Sequence, residues 1–368
     1  MKKIFSLLLI FSVSLSLCSC KYAYQYFDLD LRATYTKDLA GTELTVYNWG
    51  EYISDGSYDM LDVNREFQKL TGIKVNYLMF ESNETMYSQI KSGGVTYDVI
   101  ITSDYMIERL KNENELLEID TSKLSNYDLI DSSYKNVYFD PDNKYSVPYN
   151  VGMVGIIYNK KHIGEDIERS WNVLWDKKYK DMSLNFNNPR DAFMTAQMLL
   201  GQDLNSTNKT DWEKAAELLK KGKANLQSYV MDEVYGKMET GEASIAPYYA
   251  GDYLTMYETN PDLAFFYPEE GTNIFIDSLC IPKTCKNYDA AMLYINFLLE
   301  PQIATANAEY IGYASPNTAV INNPDYYYYQ NEILYPDEKD MPKVQYYHDI
   351  DKETRMLYET LWCEVKLY

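Results

Sequence analysis

Four places along the chain set an acidic side chain beside an aromatic ring at the end of a short apolar run. Trp49, Glu51 and Tyr52 follow Leu44-Thr-Val-Tyr47. Ser103, Asp104 and Tyr105 follow Val99-Ile-Ile-Thr102, Tyr249 and Asp252 close the run from Ala243, and Phe275 and Asp277 share one run. A fifth acid, Asp191, opens a helical stretch after Asn187-Asn-Pro-Arg190. An ammonium taken out of water needs a carboxylate in its place, and each well-placed π face adds roughly 0.5 to 2 kcal/mol. The combination suits a slender organic cation, with an acid for each ammonium and rings along the methylenes between. One such pair is commonplace in a chain with 38 tyrosines, but recurrence in successive strand-to-helix turns is not.

Turns of that kind need a sheet to hold them, because ligands of open α/β folds sit outside the carboxyl ends of the strands. The hydrophobic pattern predicts a strand at Leu44–Tyr47, a helix from about Asp59 to Leu70 stopped by Gly72, a strand at Ile73–Phe80, a helix opening near Ser82, and a strand at Val99–Thr102. Repeated β-α-β in this spacing implies a parallel sheet. The run Val151–Tyr158, broken by Gly152 and Gly155, reads as a strand crossing between lobes. A second α/β set follows: strands at Met182–Phe186, Asn225–Val230 and Ala243–Tyr249, with helices at Asp191–Leu200 and Trp212–Leu219. A strand from Ile274 then leads to helices at about Tyr288–Leu299 and Gln302–Tyr310, the latter opened by Pro301. The tetrad Tyr326–Tyr329 reads as an exposed loop.

Met1 to Cys20 carries Lys2 and Lys3, an apolar run to Leu17, and Leu17-Cys-Ser-Cys20. This is a secretory leader too short to span a bilayer, ending in a lipobox-like string that makes Cys20 the lipid acceptor. Residues 1–19 are thus expected to be removed, and residues 20–42, without sustained period, to form the lipid attachment and tether. The chain beyond is too long for one ordinary core, so two lobes are expected. A net charge of −21 argues against nucleic acid and anionic substrates. Cys280, Cys285 and Cys363 remain, the first two close enough for a local disulfide in an oxidising compartment. Neither of the two histidines, His162 and His348, lies near them, so no zinc site and no cofactor is expected.

Together with Phe80-Glu-Ser-Asn-Glu-Thr-Met-Tyr87, Ile276-Asp-Ser-Leu279 and Ile311-Gly-Tyr-Ala-Ser-Pro-Asn317, these clusters resemble the spermidine/putrescine-binding proteins of bacterial ABC importers, from about Leu44 to the C-terminus. The resemblance implies a two-lobed α/β fold of the periplasmic-binding-protein type II, with the ligand cleft between lobes. By position, residues 43–152 with 275–321 form lobe one, and residues 153–274 with 322–368 form lobe two. It also implies a polyamine ligand, an ABC permease as partner, an extracytoplasmic lipid-anchored location, and a monomer. Residue by residue, Trp49, Glu51 and Tyr52 match the family's Trp-x-acid-Tyr motif, with Gly50 where many members have Thr or Ser. Ser103 and Tyr105 match a pocket wall, and Asp191 an acid of the second lobe, with Asn188 where a second Asp stands. Tyr249 and Phe275 replace pocket tryptophans. Asp277 matches the central anchor, Tyr313 a further ring, and His348 a polar contact near the chain's end. Asp252 resembles the acid of the putrescine-preferring branch.

Two other classes fit less well. A glycosidase would use an acid pair at one reacting centre, and no two acids here can be assigned to one. The strings G-x-S-x-G, H-E-x-x-H and Walker A are missing, which argues against an enzyme. The same fold could hold iron through tyrosines or another organic cation, although acid-ringed π faces along a cleft fit an extended cation better and an anion would want Arg. A sensor role is not separable from import by sequence.

Overall fold

The computed structural model describes residues 24–368, so the leader and Cys20 lie outside the described residues. The first half runs β1 (Glu43–Trp49), α1 (Val63–Thr71), β2 (Lys74–Phe80), α2 (Asn83–Ser92), β3 (Val99–Ser103) and α3 (Asp104–Asn112). After a long irregular stretch come β4 (Val147–Asn159), α4 (Lys160–Ile163), β5 (Ser183–Phe186), α5 (Pro189–Leu199), α6 (Lys209–Lys223), β6 (Leu226–Val230), α7 (Glu233–Glu239), β7 (Ile245–Tyr249), α8 (Ala250–Thr259) and β8 (Leu263–Phe266). The chain ends with β9 (Thr272–Cys280), α9 (Tyr288–Leu298), α10 (Pro301–Ile311), α11 (Thr318–Ile321), β10 (Val344–Gln345) and α12 (Lys352–Leu367). Among the described residues no helix is long and apolar enough to cross a membrane.

The strands form one curled sheet in the order β2-β1-β3-β9-β4-β7-β5-β6, with β10 on β9 and β8 on β4. Pairing is parallel within β2-β1-β3 and within β6-β5-β7, as the β-α-β repeats require. Parallel pairing gives way in the middle, beyond the repeats, where β9 runs antiparallel to both β3 and β4. Strands β9 and β4 thus lie between the two parallel sets and join them. The first part of β4, Val147 to Met153, pairs with β9; the second, Val154 to Asn159, pairs with β7 and β8. Gly152 and Gly155 sit on this crossing because rings press on the backbone there. A Cβ on Gly152 would lie 2.2 Å from the Phe275 ring, and one on Gly155 2.2 Å from Phe265.

Alternation along β1 covers both faces: Leu44 and Val46 join a cluster with Phe67, Tyr294 and Phe297, while Tyr47 joins the larger cluster that reaches Trp171, Phe193 and Trp212. Helix α1 starts later than its apolar spacing suggests, at Val63, because the Asp62 side chain accepts from Arg65 N and caps it there. The preceding residues form a short 3₁₀ turn in which Tyr58 and Asp59 take left-handed backbone angles. Helices α3, α4, α7, α8, α11 and α12 and strands β8 and β10 are additional to those the sequence predicts. Helix α12 was legible: Thr354, Tyr358, Leu361, Trp362 and Val365 are its buried face, and Tyr358 stacks on Trp212 at 5.2 Å. Cys280, Cys285 and Cys363 are free thiols, so the local Cys280–Cys285 pairing does not form; Cys280 is wholly buried in β9, and burial pushes its thiol well up. The tyrosine tetrad is only half exposed, since Tyr326 and Tyr328 turn inward.

Residues 24–42 correct the reading of a loose tether. The segment lies on the first lobe, with Leu29, Leu31, Tyr35 and Leu39 packed against the core. Two fully buried carboxylates hold it. Glu66 accepts from Tyr24 Oη (3.1 Å) and Phe27 N (2.8 Å), and Glu300 accepts from Arg32 N (2.7 Å), Ala33 N (2.9 Å) and Tyr35 Oη (2.9 Å). Among the described residues these are all the hydrogen bonds that either carboxylate receives. Hydrogen bonds to a charged group contribute roughly 1.5–3 kcal/mol each, and a buried carboxylate stripped of its donors is costly. A chain starting at Glu43 should therefore be less stable than one starting at Lys21 by at least about 4 kcal/mol in urea unfolding. Equal stability of the two would contradict the strap.

Candidate functional site

Strand β1 ends in a turn that one side chain organises. Buried Asn48 donates from Nδ2 to Tyr52 O (3.1 Å) and Tyr77 Oη (2.9 Å), and its Oδ1 accepts from Trp49 N (2.8 Å). The Tyr149 hydroxyl adds a bond to Tyr52 O at 3.1 Å. This frame holds Glu51 at a φ of 51°, a conformation that costs a non-glycine residue of order 1 kcal/mol or more and is tolerated where the surroundings fix it. Glu51 Oε2 accepts from Tyr310 Oη at 2.7 Å. Trp49 packs against Phe80 with centroids 4.5 Å apart, and its buried Nε1 has no partner.

These residues border a cavity of about 1530 Å³ between the lobes. Every charged side chain lining it is a carboxylate except Arg190. Trp49, Glu51, Tyr52, Ser103, Tyr105, Asn188, Asp191, Tyr249, Asp252, Phe275, Asp277 and Tyr313, scattered through the sequence, all line it. His348 does not. Its ring lies outside, 3.6 Å from Glu108 and against Tyr138, and its neighbour Tyr347 lines the cavity instead. The residue near the chain's end that faces the cavity is thus one position earlier than expected and carries a hydroxyl. Tyr327 and Tyr328 of the tetrad also line the cavity.

Three buried carboxylates differ in how they are satisfied. Asp191, in the first turn of α5, accepts from Tyr249 Oη (2.6 Å), Asn188 Nδ2 (2.8 Å) and Tyr347 Oη (3.0 Å). Asn188 also caps α5 through Oδ1 to Arg190 N, which fixes the helix start at Pro189 rather than Asp191. Asp252, in the first turn of α8, accepts from Tyr235 Oη (2.7 Å) and Tyr313 Oη (2.5 Å). Helix dipoles favour both charges. Asp277, on β9 opposite Ser103, receives one bond, from Tyr52 Oη at 2.6 Å to Oδ2. Among the described residues its buried Oδ1 has no hydrogen-bond partner. Burial raises all three; Asp252 and Asp277 are pushed up to about 6, with the Tyr313 and Tyr235 hydroxyls pulling the other way at Asp252 and the Tyr52 and then the Ser103 hydroxyl at Asp277. The tyrosines concerned are held well above their usual range, chiefly by burial and then by these carboxylates, so they remain O–H donors.

The sequence did not single out Arg190, Tyr235 or Tyr347. Arg190 is 2% exposed and lies over the Tyr347 ring at 4.4 Å and the Tyr105 ring at 5.5 Å, with Nη2 on Asn205 Oδ1 at 3.2 Å. Its place after Pro189 in the first turn of a helix that also carries Asp191 was the available signal. Rings close the remaining walls: Tyr249 meets Phe275 edge-on at 5.5 Å, and Tyr52 meets Tyr313 at 5.5 Å. Chemically, the arrangement offers a dry acid with a free oxygen, further acids at a distance, and π faces between them, which is a receptor for a cation with an apolar body.

Comparisons with known proteins agree in kind. Residues 95–332 match the family model described as bacterial extracellular solute-binding protein. The chain is 33% identical over 339 residues to the spermidine/putrescine-binding periplasmic protein of Salmonella typhimurium, covering 92% of this chain and 95% of that one. Among solved structures, one from Listeria monocytogenes described as a candidate spermidine/putrescine ABC transporter is 37% identical with a TM-score of 0.84, covering 89% of this chain and 99% of that one. A lipoprotein of Treponema pallidum is 26% identical with a TM-score of 0.77, covering 89% and 100%.

The raised carboxyls make two opposite pH dependences. A folded pKa near 6 against an unfolded value near 3.8 gives the empty protein a contribution that is full at low pH and lost as pH rises through 6, on the order of 3 kcal/mol for each of Asp252 and Asp277. The unliganded chain should therefore gain stability from pH 7.5 to pH 5, measured by urea unfolding. A cation bound by the ionised carboxylates reverses the sign: its affinity should hold above pH 7 and fall below pH 6 by about tenfold per unit for each carboxylate that must ionise. Calorimetry in two buffers of different ionisation heat would detect the proton released at pH 6.

Proposed function

The chain belongs to the bacterial extracellular solute-binding proteins, and from that membership we propose that it is the polyamine receptor of an ABC importer, taking spermidine or putrescine between its lobes. The observation that carries this reading is Asp277, a buried carboxylate with one unpartnered oxygen inside an acid-lined aromatic cavity. An ammonium donating to Oδ1 supplies the missing partner and the missing counter-charge together. The rings of Trp49, Tyr249, Phe275 and Tyr313 flank the methylenes. Glu51, Asp191 and Asp252 stand available for the further amines.

Lobe one, in this reading, comprises residues 43–152 with 275–321, and lobe two residues 153–274 with 322–368, joined by β4 and β9. The bond from Tyr313 Oη to Asp252 then spans the cleft, and closure consists of one lobe rotating about the two crossing strands until the ligand is dry. The closed form is what a membrane permease recognises. In this reading the leader is removed and the mature chain is a monomer outside the cytoplasm, anchored by lipid on Cys20; the lipoprotein among the structural relatives supports the anchor.

Choice of ligand turns on a few positions. Gly50 leaves open space, with nothing within 4 Å of a Cβ placed there, so no hydroxyl contacts the ligand from it. Asn188 donates to Asp191 where an acid would repel it.

The test is titration calorimetry of the chain from Lys21, unfolded and refolded to strip carried ligand, against putrescine, spermidine and spermine. At least one should bind with a micromolar or tighter dissociation constant; failure of all three with folded protein overturns the polyamine reading. Asp277→Asn should weaken the preferred ligand by about 150-fold or more, since removing one partner of a buried ion pair costs roughly 3–5 kcal/mol. The same variant should leave the empty protein at least as stable at pH 7.5, which separates loss of the counter-charge from loss of the fold. Asn188→Asp should lower unliganded stability above pH 6 and shift preference toward the polyamine with more ammonium groups, read as the ratio of the two affinities.

A further inference from the structure

The strap that holds residues 24–42 to the first lobe also fixes where the chain leaves it. Tyr24 is pinned by its hydroxyl, which donates to Glu66 Oε1 and accepts from Asp62 N at 2.8 Å. Three residues separate it from Cys20, and the four Cα-to-Cα steps between the two reach at most about 14 Å when extended. Beside this exit lies a surface unlike the rest of an acidic protein. Tyr26 is 50% and Phe27 40% exposed, and Lys69 reaches over the Tyr26 ring at 4.7 Å and donates to Phe27 O at 3.3 Å. Arg65, one helical turn from Lys69 on the same side of α1, lies 5.2 Å from the Tyr24 ring. The carboxylates paired with these cations, Asp62 and Glu66, are 12% and 1% exposed, against 54% and 43% for Arg65 and Lys69, so ring and cation face outward.

We propose that this face, made by Tyr26, Phe27, Arg65 and Lys69, rests on the headgroup layer of the membrane and sets the orientation of the anchored receptor. Aromatic rings with a polar tip and long basic side chains are the residue types that sit at a membrane–water interface. Asp28 and Asp30 are exposed next in sequence and oppose attraction to anionic lipid, so the lipid on Cys20 supplies the affinity and the patch supplies the orientation. One consequence concerns the cleft. The Tyr24 ring also lies about 3.4 Å from where a Cβ on Gly56 would stand, in the loop that runs on from Glu51, so that rim of the cavity is held beside the bilayer. The lobe carrying Glu51 is then the stationary one, and the other lobe moves on closure.

The inference rests on the reading that Cys20 carries the lipid, and the experiment separates the two. The full chain with its leader is produced in bacteria with a photoreactive benzoylphenylalanine in place of Tyr26, and in a second preparation in place of Tyr368, which is 77% exposed at the far end of α12. Each is placed in vesicles of phosphatidylethanolamine and phosphatidylglycerol and irradiated, and mass spectrometry reads both the modification of Cys20 and lipid adducts at the probe. Lipid on Cys20 with adducts at position 26 and none at position 368 is the expected result. Lipid on Cys20 with no adduct at position 26, or with equal adducts at both positions, overturns the proposed orientation alone. An unmodified Cys20 overturns the anchor and the orientation with it.

Discussion

Keeping a carboxylate dry is the constraint from which most of this molecule follows. An ionised acid cut off from water costs several kcal/mol unless donors replace the lost solvent. Tyrosine is well suited to that work: its hydroxyl stays protonated at any physiological pH and its ring forms cavity wall at the same time. The chain holds 38 of them, and the cavity carboxylates are dressed largely by them. Asp191 takes two tyrosine hydroxyls and an amide, and Asp252 takes two tyrosine hydroxyls. Asp277 takes one and leaves an oxygen bare. The first two acids shape an acidic interior whose hydrogen bonds close on themselves, while the third is the one that the proposed reading completes with a cation.

Strand β9 connects this electrostatic asymmetry to the architecture. It carries Phe275 and Asp277 into the cavity, pairs with β3 on one side and β4 on the other, and is one of the two strands on which the lobes are hung. Phe275 presses on the β4 backbone at Gly152, so the ring that walls the site also packs on the crossing. In the proposed reading, a ligand that draws on Asp277 acts directly on the strand pair about which the lobes turn.

How far the sequence could be read depended on whether the determinants were local. Strand-end clusters such as Trp49-Gly-Glu-Tyr52 were legible because a parallel strand delivers its last side chains to one edge, and twelve expected cavity residues do line one space. Tyr347 was missed in favour of His348 because the two-residue β10, Val344 paired to Thr272 and Gln345 to Asn273, leaves no period from which to count. The antiparallel run of β9 is set by its being a return crossing, which no local pattern encodes. The strap was invisible for a further reason. Its segment is mixed in character, and what fixes it are Glu66 and Glu300, the latter more than 250 residues away. Conversely, Gly152 and Gly155 announced their crossing, since close approach of rings to a backbone demands glycine locally.

The most direct measurement is the titration of the Asp277 carboxyl itself, by carbon-detected NMR on the selectively labelled chain, with and without bound putrescine or spermidine. The account predicts a midpoint near 6 in the empty protein that falls below about 4 when the ligand supplies a counter-charge to the bare oxygen. A midpoint that does not move on binding would mean that the cation is held elsewhere, and that Asp277 is not the site's anchor.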